Sequence, residues 1–286
     1  MCVNIIVFAP GYPWEGAIIL VLSHPLSRPG RMYFFHLTTI WSDSGLRYAI
    51  ISDNHANLEA TLTVLDKIDE IGVDQIIHLG DVVGYNANPN ECCDLIRERN
   101  IPTICGNHDA VACGLEEPWG FNPVALSAAM WTRETLREDN LEWLRGLPDN
   151  QKFDKFLGVH GSPTNRNSYL FTWEDILPHV NYVDEQECQW CFFGHTHNPC
   201  IFSKDGVYSL DEDDQFNLGT EKMFFINPGS VGQPRDGDPR AAFGILDTET
   251  TTFTQVRINY PVKQAADKVT KAGLPTFLAE RLFLGR

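Results

Sequence analysis

The chain has 286 residues, of which 38 are acidic and 22 are basic, and its formal net charge is −16. It contains no basic tract, so we expect no duplex nucleic acid partner, since that binding requires Lys and Arg to neutralise phosphates. With 43% hydrophobic residues, a chain of this length can bury a large core without disulfides or a structural metal.

Residues 1–45 differ in pattern from the rest of the chain. Their longest apolar run, Ala17–Leu22, is too short to span a bilayer, and no Lys or Arg precedes it as in a secretory signal. We therefore expect no membrane attachment. We interpret residues 1–45 either as a peripheral appendage or as a translated stretch upstream of the true start, and we assign the main domain to residues 46–286.

The cysteines indicate a reducing compartment. The sequence contains eight of them at irregular spacing, and Cys188 and Cys191 form a CxxC. A CxxC could mark a redox pair or half of a zinc site. No second CxxC accompanies it and an apolar strand follows, so we favour packing of both thiols in the core. Reduced thiols are typical of cytoplasmic proteins, and we predict that location.

Strands and helices alternate from residue 46 onward. The predicted elements are, in chain order, a strand at 46–51, a helix from 58 to a stop at Gly72, a strand at 75–79, a helix at 91–99 and a strand at 102–105. This alternation predicts an α/β fold with parallel strands in a sheet.

The second half of the chain predicts another sheet. We expect helices at 124–137 and 140–145, strands at 156–160 and 191–195, hairpins between 200 and 258, and closing helices at 265–271 and 276–283. The hairpins favour a second sheet packed on the first.

Polar residues of a particular kind follow the predicted strands. Five of the nine histidines lie at these strand ends, together with carboxylates and an asparagine. Ligands of α/β sheets gather beyond the carboxyl ends of the strands. The candidate metal ligands are Asp53, His55, Asp81, Asn107, His160, His195 and His197.

Imidazole and carboxylate together suit Mn, Fe, Zn or similar ions, whereas Ca and Mg prefer all-oxygen sites. Seven ligands are too many for one tetrahedral centre but suit two divalent ions that share one carboxylate. Two ions roughly 3.5–4 Å apart can bind a bridging water, lower its pKa and hold a phosphoryl group.

The strand-end residues resemble the five motifs of the calcineurin-like metallophosphoesterases. The motifs stand in the same order and, with their spacers, cover residues 46–258. In this chain they are Asp53-x-His55, Gly80-Asp81, Gly106-Asn-His-Asp109, Val159-His-Gly161 and Gly194-His-x-His197. The resemblance implies an α/β/β/α sandwich in which two mixed β-sheets are flanked by helices.

The resemblance also implies how two metal ions would be held. The first would be bound by Asp53, His55, Asp81 and His197, and the second by Asp81, Asn107, His160 and His195. Asp81 would bridge them, and a metal-bridging hydroxide would attack phosphorus in line. His108 would face the leaving-group oxygen as general acid or charge stabiliser. Asp109 would orient His108 or have a plain structural or surface role.

Some positions depart from the family pattern. Ala56 stands where members usually have Gly after the Asp-x-His motif. In the protein-phosphatase and symmetrical dinucleotide tetraphosphatase branches, an Asp that partners the catalytic His and a phosphate-binding Arg follow the second motif. Gly84 and Tyr85 occupy those positions here. We therefore discount both of those activities.

Two arginines of a later segment are candidate substrate ligands. Arg235 and Arg240 lie in a stretch, residues 227–240, that resembles one in smaller bacterial and archaeal phosphodiesterase-like members. Guanidinium groups bind phosphate oxygens bidentately. The alternative is that both arginines pair with Asp236, Asp238 or other acids of this acidic chain.

These features predict a metal-dependent phosphoesterase, and we favour a phosphodiesterase whose partner is a small nucleotide-like diester. A phosphomonoesterase or protein phosphatase on the same site is the nearer alternative, because both reactions need the same metal pair. An alternative of another class is a non-catalytic metal-binding scaffold. The sequence does not specify the oligomeric state.

Overall fold

The computed structural model describes residues 4–7, 18–21, 45–219 and 223–286. The chain divides into two compact units, residues 1–45 and residues 46–286. In the first unit, β1 (Asn4–Val7) and β2 (Ile18–Val21) pair antiparallel. The remainder of residues 1–44, including Cys2, lies outside the described residues. The two interpretations of this segment concern those residues, so both stay predictions.

The second unit contains eleven of the described strands. In chain order they are β3 (Arg47–Ile51), β4 (Gln75–His78), β5 (Asn150–Phe153), β6 (Phe156–Val159), β7 (Trp190–Phe192), β8 (Cys200–Ser203), β9 (Gly206–Ser209), β10 (Gln215–Asn217), β11 (Phe224–Asn227), β12 (Ala241–Asp247) and β13 (Thr252–Ile258).

The described helices all belong to this unit. They are α1 (Leu58–Ile71), α2 (Pro89–Glu98), α3 (Asn107–Cys113), α4 (Pro123–Thr135), α5 (Glu138–Arg145), α6 (Trp173–Ile176), α7 (Val180–Glu185), α8 (Val262–Lys271) and α9 (Thr276–Leu282). None of these helices has the combination of length and apolar character that a bilayer crossing demands.

The strands form two mixed sheets. The first has the order β10-β13-β12-β3-β4, in which β3 and β4 are parallel and the other pairs are antiparallel. The second has the order β5-β6-β7-β11-β8-β9, in which β6, β7 and β11 run parallel. The parallel strands therefore end at a common edge of each sheet, and these are the strands that carry the site.

Side chains alternate between two apolar layers along each buried strand. On β3, Tyr48 and Ile50 belong to the cluster that also contains Trp190 and Phe192 of the second sheet, so this cluster fills the space between the sheets. Ala49 and Ile51 point to the opposite face, where helices cover the first sheet. A third cluster covers the outer face of the second sheet with α6 and α7. The predicted α/β/β/α arrangement is confirmed.

The local predictions differ from the structure at some elements. Only Thr103 of the predicted strand at 102–105 pairs, in an isolated parallel bridge with His78. The strand predicted at 191–195 is β7 and ends at Phe192, because the next residues turn into the site. Helix α3 begins inside the third motif, where we predicted only a strand end.

Cys188 and Cys191 are both buried free thiols in the outer core of the second sheet. Burial raises the pKa of each thiol. The prediction that this CxxC packs in the core is therefore confirmed.

Candidate metal centre and active site

The strand ends bring the predicted ligands into two adjoining clusters. Asp53 and His55 follow β3, Asp81 follows β4, and His160 follows β6. His195 and His197 follow β7, which lies between β6 and β11 in the second sheet. All seven predicted ligands are buried, and each described cluster of potential metal ligands in this unit draws on them.

The first cluster consists of Asp53, His55 and His197. The Nε2 atoms of the two histidines are 3.1 Å apart. Asp53 Oδ1 is 3.1 Å from His197 Nε2 and 3.8 Å from His55 Nε2. Three potential ligand atoms thus surround one small volume.

The second cluster consists of Asp81, Asn107, His160 and His195. His160 Nε2 is 3.3 Å from Asp81 Oδ2 and 3.0 Å from Asn107 Oδ1, and His195 approaches Asp81 and His160 within the same group. Asp81 Oδ2 also lies 3.5 Å from His55 Nε2 of the first cluster. The Asp81 carboxylate therefore stands between the two clusters.

Backbone contacts fix the tautomers of three of these histidines. Each has its Nδ1 atom against a carbonyl oxygen: His55 to Val83 at 3.0 Å, His160 to Leu79 at 2.9 Å and His197 to Gln233 at 2.6 Å. A carbonyl can only accept, so Nδ1 carries a hydrogen in each ring and Nε2 is the atom directed into the cluster, where it offers a lone pair whenever the ring is neutral.

This arrangement fits divalent metal ions. Two neutral imidazoles whose Nε2 lone pairs lie 3.1 Å apart repel each other unless a cation stands between them. His195 Nε2 is likewise buried and has no hydrogen-bond partner among the described residues. Imidazole nitrogens combined with carboxylate oxygens are the donors that Mn, Fe and Zn accept.

The charges of the clusters are strongly coupled. Burial lowers the pKa of His55 well below its usual range. Burial also tends to lower the pKa of His160, but the negative charge of Asp81 outweighs this effect and raises the pKa of His160 to about 9. In the metal-free protein, a proton on His160 therefore balances Asp81, and a divalent ion would replace that proton.

Left-handed backbone conformations concentrate at the site. Five ligands have positive φ angles: Asp53 (56°), His55 (46°), Asp81 (57°), His195 (65°) and His197 (60°). Such conformations cost about 1–3 kcal/mol each in non-glycine residues and persist where the surroundings determine them. Ala56, which replaces the usual family glycine, also has a positive φ of 55°, so it keeps the turn that glycine favours.

Side chains of neighbouring loops orient the ligands. Ser52 Oγ donates to Asp53 Oδ2 at 2.6 Å, and the His195 backbone N–H donates to the same oxygen at 3.1 Å. Asn227 at the end of β11 donates to Gly194 O at 2.8 Å and to Thr196 Oγ1 at 2.9 Å. The loop that carries His195 and His197 is thus tied to both sheets.

His108 is not one of the seven predicted ligands, but it forms a further group of potential ligand atoms with His55 and Asp81, all within 4.8 Å of one another. Its ring centroid is 5.0 Å from that of His55, and its buried Nδ1 has no partner among the described residues. A Cβ on Gly84 would lie 2.6 Å from this Nδ1, and Gly84 has φ +98°. Gly84 therefore makes room for the imidazole at the position where related branches have an aspartate.

Of the two roles left open for Asp109, the structure shows the structural one. Its carboxylate accepts from the backbone N–H groups of Asp81 at 2.8 Å, Gly106 at 3.0 Å and Val83 at 3.1 Å. It makes no hydrogen bond to the His108 imidazole, because it reaches back to the start of α3. Asp109 therefore positions the loop that carries Asp81, and it is a buried structural residue rather than a surface one.

The two predicted substrate arginines are placed differently. Arg235 lies at the site, with its backbone N–H directed at His197 O at 3.4 Å and its Cζ atom 5.7 Å from the Tyr85 ring centroid. Arg240 forms ion pairs with Asp238, at 2.7 Å, and with Glu212. For Arg240, the alternative of pairing with acids is the one that the structure shows.

Sequence reasoning missed three side chains around the site. Phe121 packs on His108 with ring centroids 4.7 Å apart, and Tyr169 stacks on His195 at 3.9 Å. Arg281 of α9 lies 5.9 Å from the Tyr85 ring centroid. These residues come from loops and a late helix, and no motif marked them.

We predict that the metal-stripped protein loses stability as pH falls from 6.5 to 4. Burial lowers the pKa of five buried histidines: His55, His78, His108, His195 and His197. The unfolded chain protonates these histidines near pH 6.5, whereas the fold keeps them neutral. Each contributes up to about 1.4 kcal/mol per pH unit in this window. Asp109 acts in the opposite direction, because burial raises its pKa to about 7. It is one group against five.

Urea unfolding of the stripped protein at pH 7.5, 6.5, 5.5 and 4.5 measures this dependence. The free energy of unfolding should fall steadily below pH 6.5. A constant or rising value down to pH 4.5 would show that these histidines are not held neutral in the fold.

The geometry agrees with comparisons to known proteins. The family model of the calcineurin-like phosphoesterase superfamily domain matches residues 46–251. The uncharacterized protein MJ0912 of Methanocaldococcus jannaschii is 41% identical over 243 residues, which cover 83% of this chain and 98% of that protein. Phosphodiesterase YfcE of Escherichia coli K12 is 23% identical over 231 residues, which cover 77% of this chain and 98% of that protein.

A solved structure extends the likeness to three dimensions. The crystal structure of a metallophosphoesterase from Sphaerobacter thermophilus has a TM-score of 0.74 and 35% sequence identity, and the match covers 85% of this chain and 100% of that chain. The chain therefore belongs to the calcineurin-like phosphoesterase superfamily, whose members are metal-dependent hydrolases.

Proposed function

We propose that this protein is a phosphodiesterase that hydrolyses small nucleotide-like diesters with two divalent metal ions. The observation that carries the proposal is the position of Asp81, whose Oδ2 lies within 3.5 Å of His55 Nε2 and of His160 Nε2. One carboxylate between two histidine clusters suits a pair of ions. Reduced, buried cysteines support a cytoplasmic location.

The seven buried ligands would hold the ions as the resemblance implies. Bound there, divalent ions supply Lewis-acid activation of water and neutralise charge on the phosphoryl oxygens. The chain itself fixes the ligand geometry through the carbonyl contacts of its histidines and the left-handed turns after β3, β4 and β7. Rigid placement of this kind lowers the reorganisation that catalysis would otherwise require.

His108 is the group that we assign to the leaving-group oxygen. Its ring lies against His55 and Tyr85, with centroid distances of 5.0 and 4.3 Å, and outside the ligand set. An alkoxide leaving group needs a proton or a hydrogen bond as the P–O bond breaks. The N–H of the neutral His108 imidazole can give the hydrogen bond. Proton donation requires the negative charge of a bound phosphoester to raise the pKa of His108 above the value of about 4 to which burial lowers it.

Two other functions remain candidates for the experiment. A phosphomonoesterase would use the same ligands. We favour a phosphodiesterase because the Escherichia coli relative is named a phosphodiesterase. A non-catalytic scaffold would not need all seven ligand positions, His108 and the strained turns together. We therefore favour an enzyme with a small phosphoester as its partner.

Turnover of two chromogenic esters tests the proposal. Metal-stripped protein reconstituted with Mn²⁺ should hydrolyse bis-p-nitrophenyl phosphate faster than p-nitrophenyl phosphate, and a second stripping should abolish the activity. Faster turnover of the monoester would favour the phosphatase. Absence of turnover with Mn²⁺, Fe²⁺ and Zn²⁺ would contradict an enzyme that acts on simple esters.

The His108→Gln variant tests the role of the imidazole. We expect kcat to fall about 10²-fold or more for a diester with an alkoxide leaving group, such as 2′,3′-cyclic AMP, because general acids contribute about 10²–10⁴-fold. The loss should be much smaller for bis-p-nitrophenyl phosphate, since p-nitrophenolate leaves without protonation. His179→Gln, which changes a histidine outside the clusters, is the matched control. Equal losses on both substrates would contradict proton donation by His108.

A further inference from the structure

Two arginines share one aromatic ring beside the metal ligands. The Tyr85 ring is buried and packs on His55 and His108, with centroid distances of 4.6 and 4.3 Å. The Cζ atoms of Arg235 and Arg281 lie 5.7 and 5.9 Å from its centroid. Two positive charges are thus held together next to the site.

Neither guanidinium group has an Asp or Glu partner within the described part of the chain. Arg235 donates to Gln233 Oε1 at 3.1 Å, and its Nε is buried with no partner. Arg281 donates to the backbone oxygen of Arg286 and lies over Phe277 at 5.4 Å. By contrast, Arg137 and Arg257 pair with aspartates. In a chain with 38 acidic residues, two adjacent arginines therefore lack an acidic side chain as partner.

The two charges also disfavour each other. Burial, and after it the charge of Arg235, lowers the pKa of Arg281 to about 10. A bound anion would remove this repulsion, and a phosphate accepts bidentate hydrogen bonds from each guanidinium group.

Backbone contacts hold the pair in place. Arg235 is attached to the ligand loop through His197 O, and Gly237 of the same segment donates to Gly285 O at 2.9 Å. The residues after α9 are therefore fastened to the segment that carries Arg235. Arg281 lies outside the match to the family model, which ends at residue 251.

We propose that Arg235 and Arg281 form a second anion subsite on Tyr85, which binds a phosphate of the substrate other than the one that is hydrolysed. Among the residues with described contacts, Arg281 has no hydrogen bond, ion pair or ring contact to any of the seven ligands. Arg281 is carried by α9 and not by the strand-end loops that hold those ligands, and in this proposal it meets a part of the substrate other than the ester at the metal ions. The substrate class is a nucleotide-like diester that carries an additional phosphate.

This inference rests on the proposed function but has its own test. The probes are AMP and adenosine 3′,5′-bisphosphate, which differ by one phosphate. Their binding to Mn²⁺-loaded protein, freed of excess metal, is measured by calorimetry. Wild-type protein should bind the bisphosphate at least about tenfold more tightly, as expected for one charge-assisted phosphate contact.

Variants of Arg281 test whether this residue causes the preference for the bisphosphate over AMP. Arg281→Gln should reduce the preference about tenfold and change AMP binding less than twofold, while Arg281→Lys should keep part of it because the charge remains. Lys271→Gln removes the same charge from exposed surface on α8 and should leave the preference unchanged. Manganese content and thermal unfolding, measured for each variant, identify any loss of fold.

The outcomes separate the two proposals. Equal binding of AMP and the bisphosphate by wild-type protein overturns the subsite, whatever the variants do. An unchanged preference in Arg281→Gln, or in Arg281→Lys if the first variant does not fold, shows that Arg281 only holds Phe277 and Arg286. If wild-type protein hydrolyses bis-p-nitrophenyl phosphate in either of these cases, the proposed function stands without the subsite. A bisphosphate preference that depends on Arg281, in protein that hydrolyses no diester, supports the subsite and contradicts the enzyme.

Discussion

Asp81→Asn should lower the hydrolysis of bis-p-nitrophenyl phosphate by about 10³-fold or more and reduce the Mn²⁺ retained per chain. The substitution removes the charge that lies within 3.5 Å of both His55 and His160. A 10³-fold lower rate corresponds to the loss of several kcal/mol of transition-state stabilisation by the metal ions, because each 1.36 kcal/mol changes the rate tenfold. Asparagine keeps the shape of the side chain, so Oδ1 can still accept from His108 N, which is 2.8 Å away in the wild-type structure.

Asp69→Asn is the matched control for this variant. Asp69 is an exposed carboxylate paired with Arg99 at 2.8 Å, and its neutralisation changes the net charge by the same amount. Hydrolysis and metal content should stay at the wild-type level. If Asp81→Asn retained full metal content and activity, the two clusters would not share this carboxylate.

Gly106→Ala should cause a comparable loss of activity through sterics alone. The substituted Cβ would lie 2.0 Å from Asp81 Oδ1 and 2.2 Å from Asp81 N. The backbone φ of −82° suits alanine, so the close approach, and not the conformation, makes glycine necessary. Asp81 must move, and we expect loss of metal affinity, about 10²–10³-fold lower kcat and a lower midpoint of thermal unfolding.

Gly146→Ala distinguishes this effect from a general cost of adding a methyl group. Gly146 has a similar φ of −86°, and its Cβ would meet no atom closer than 3.5 Å. That variant should keep its metal content and activity. Gly106→Ala protein with normal metal affinity would mean that Asp81 is not placed by this contact.

The gathering of the seven candidate ligands could be predicted because sequence position determines it. Each ligand except Asn107 lies within about six residues after a buried strand, and parallel strands bring their carboxyl ends to one edge. His55 and His197 are 142 residues apart in the chain, yet their Nε2 atoms are 3.1 Å apart. Strand recognition and residue type were sufficient to predict that these residues gather at one edge, whereas the placement of His55 and His197 at the same ion came from the family resemblance.

Other features depend on tertiary contacts that leave no local pattern. Helix α3 has seven residues and is wholly buried, so it shows no amphipathic period from which a helix could be predicted. Pairing at 102–105 is limited to Thr103, and Cys105 N–H donates instead to Pro148 O at 2.8 Å. Arg281 reaches Tyr85 only because the chain after β13 returns to the site.

The sequence left two roles open for Asp109, and tertiary contacts decide between them. Its neighbour in sequence is His108, which suggested an orienting contact. In α3, however, consecutive side chains point in different directions, and the carboxylate turns toward the backbone amides of Asp81, Val83 and Gly106. The motif thus combines a metal ligand, a candidate proton donor and a loop anchor in three successive residues.

The most direct test of the account is the rate of bis-p-nitrophenyl phosphate hydrolysis as a function of Mn²⁺ bound per chain. Stripped protein is titrated with Mn²⁺, and bound metal and rate are measured on the same samples. We predict little activity up to one ion per chain and a plateau at two. Full activity in stripped protein, or no hydrolysis when both sites are filled, would contradict a phosphoesterase built on these two clusters.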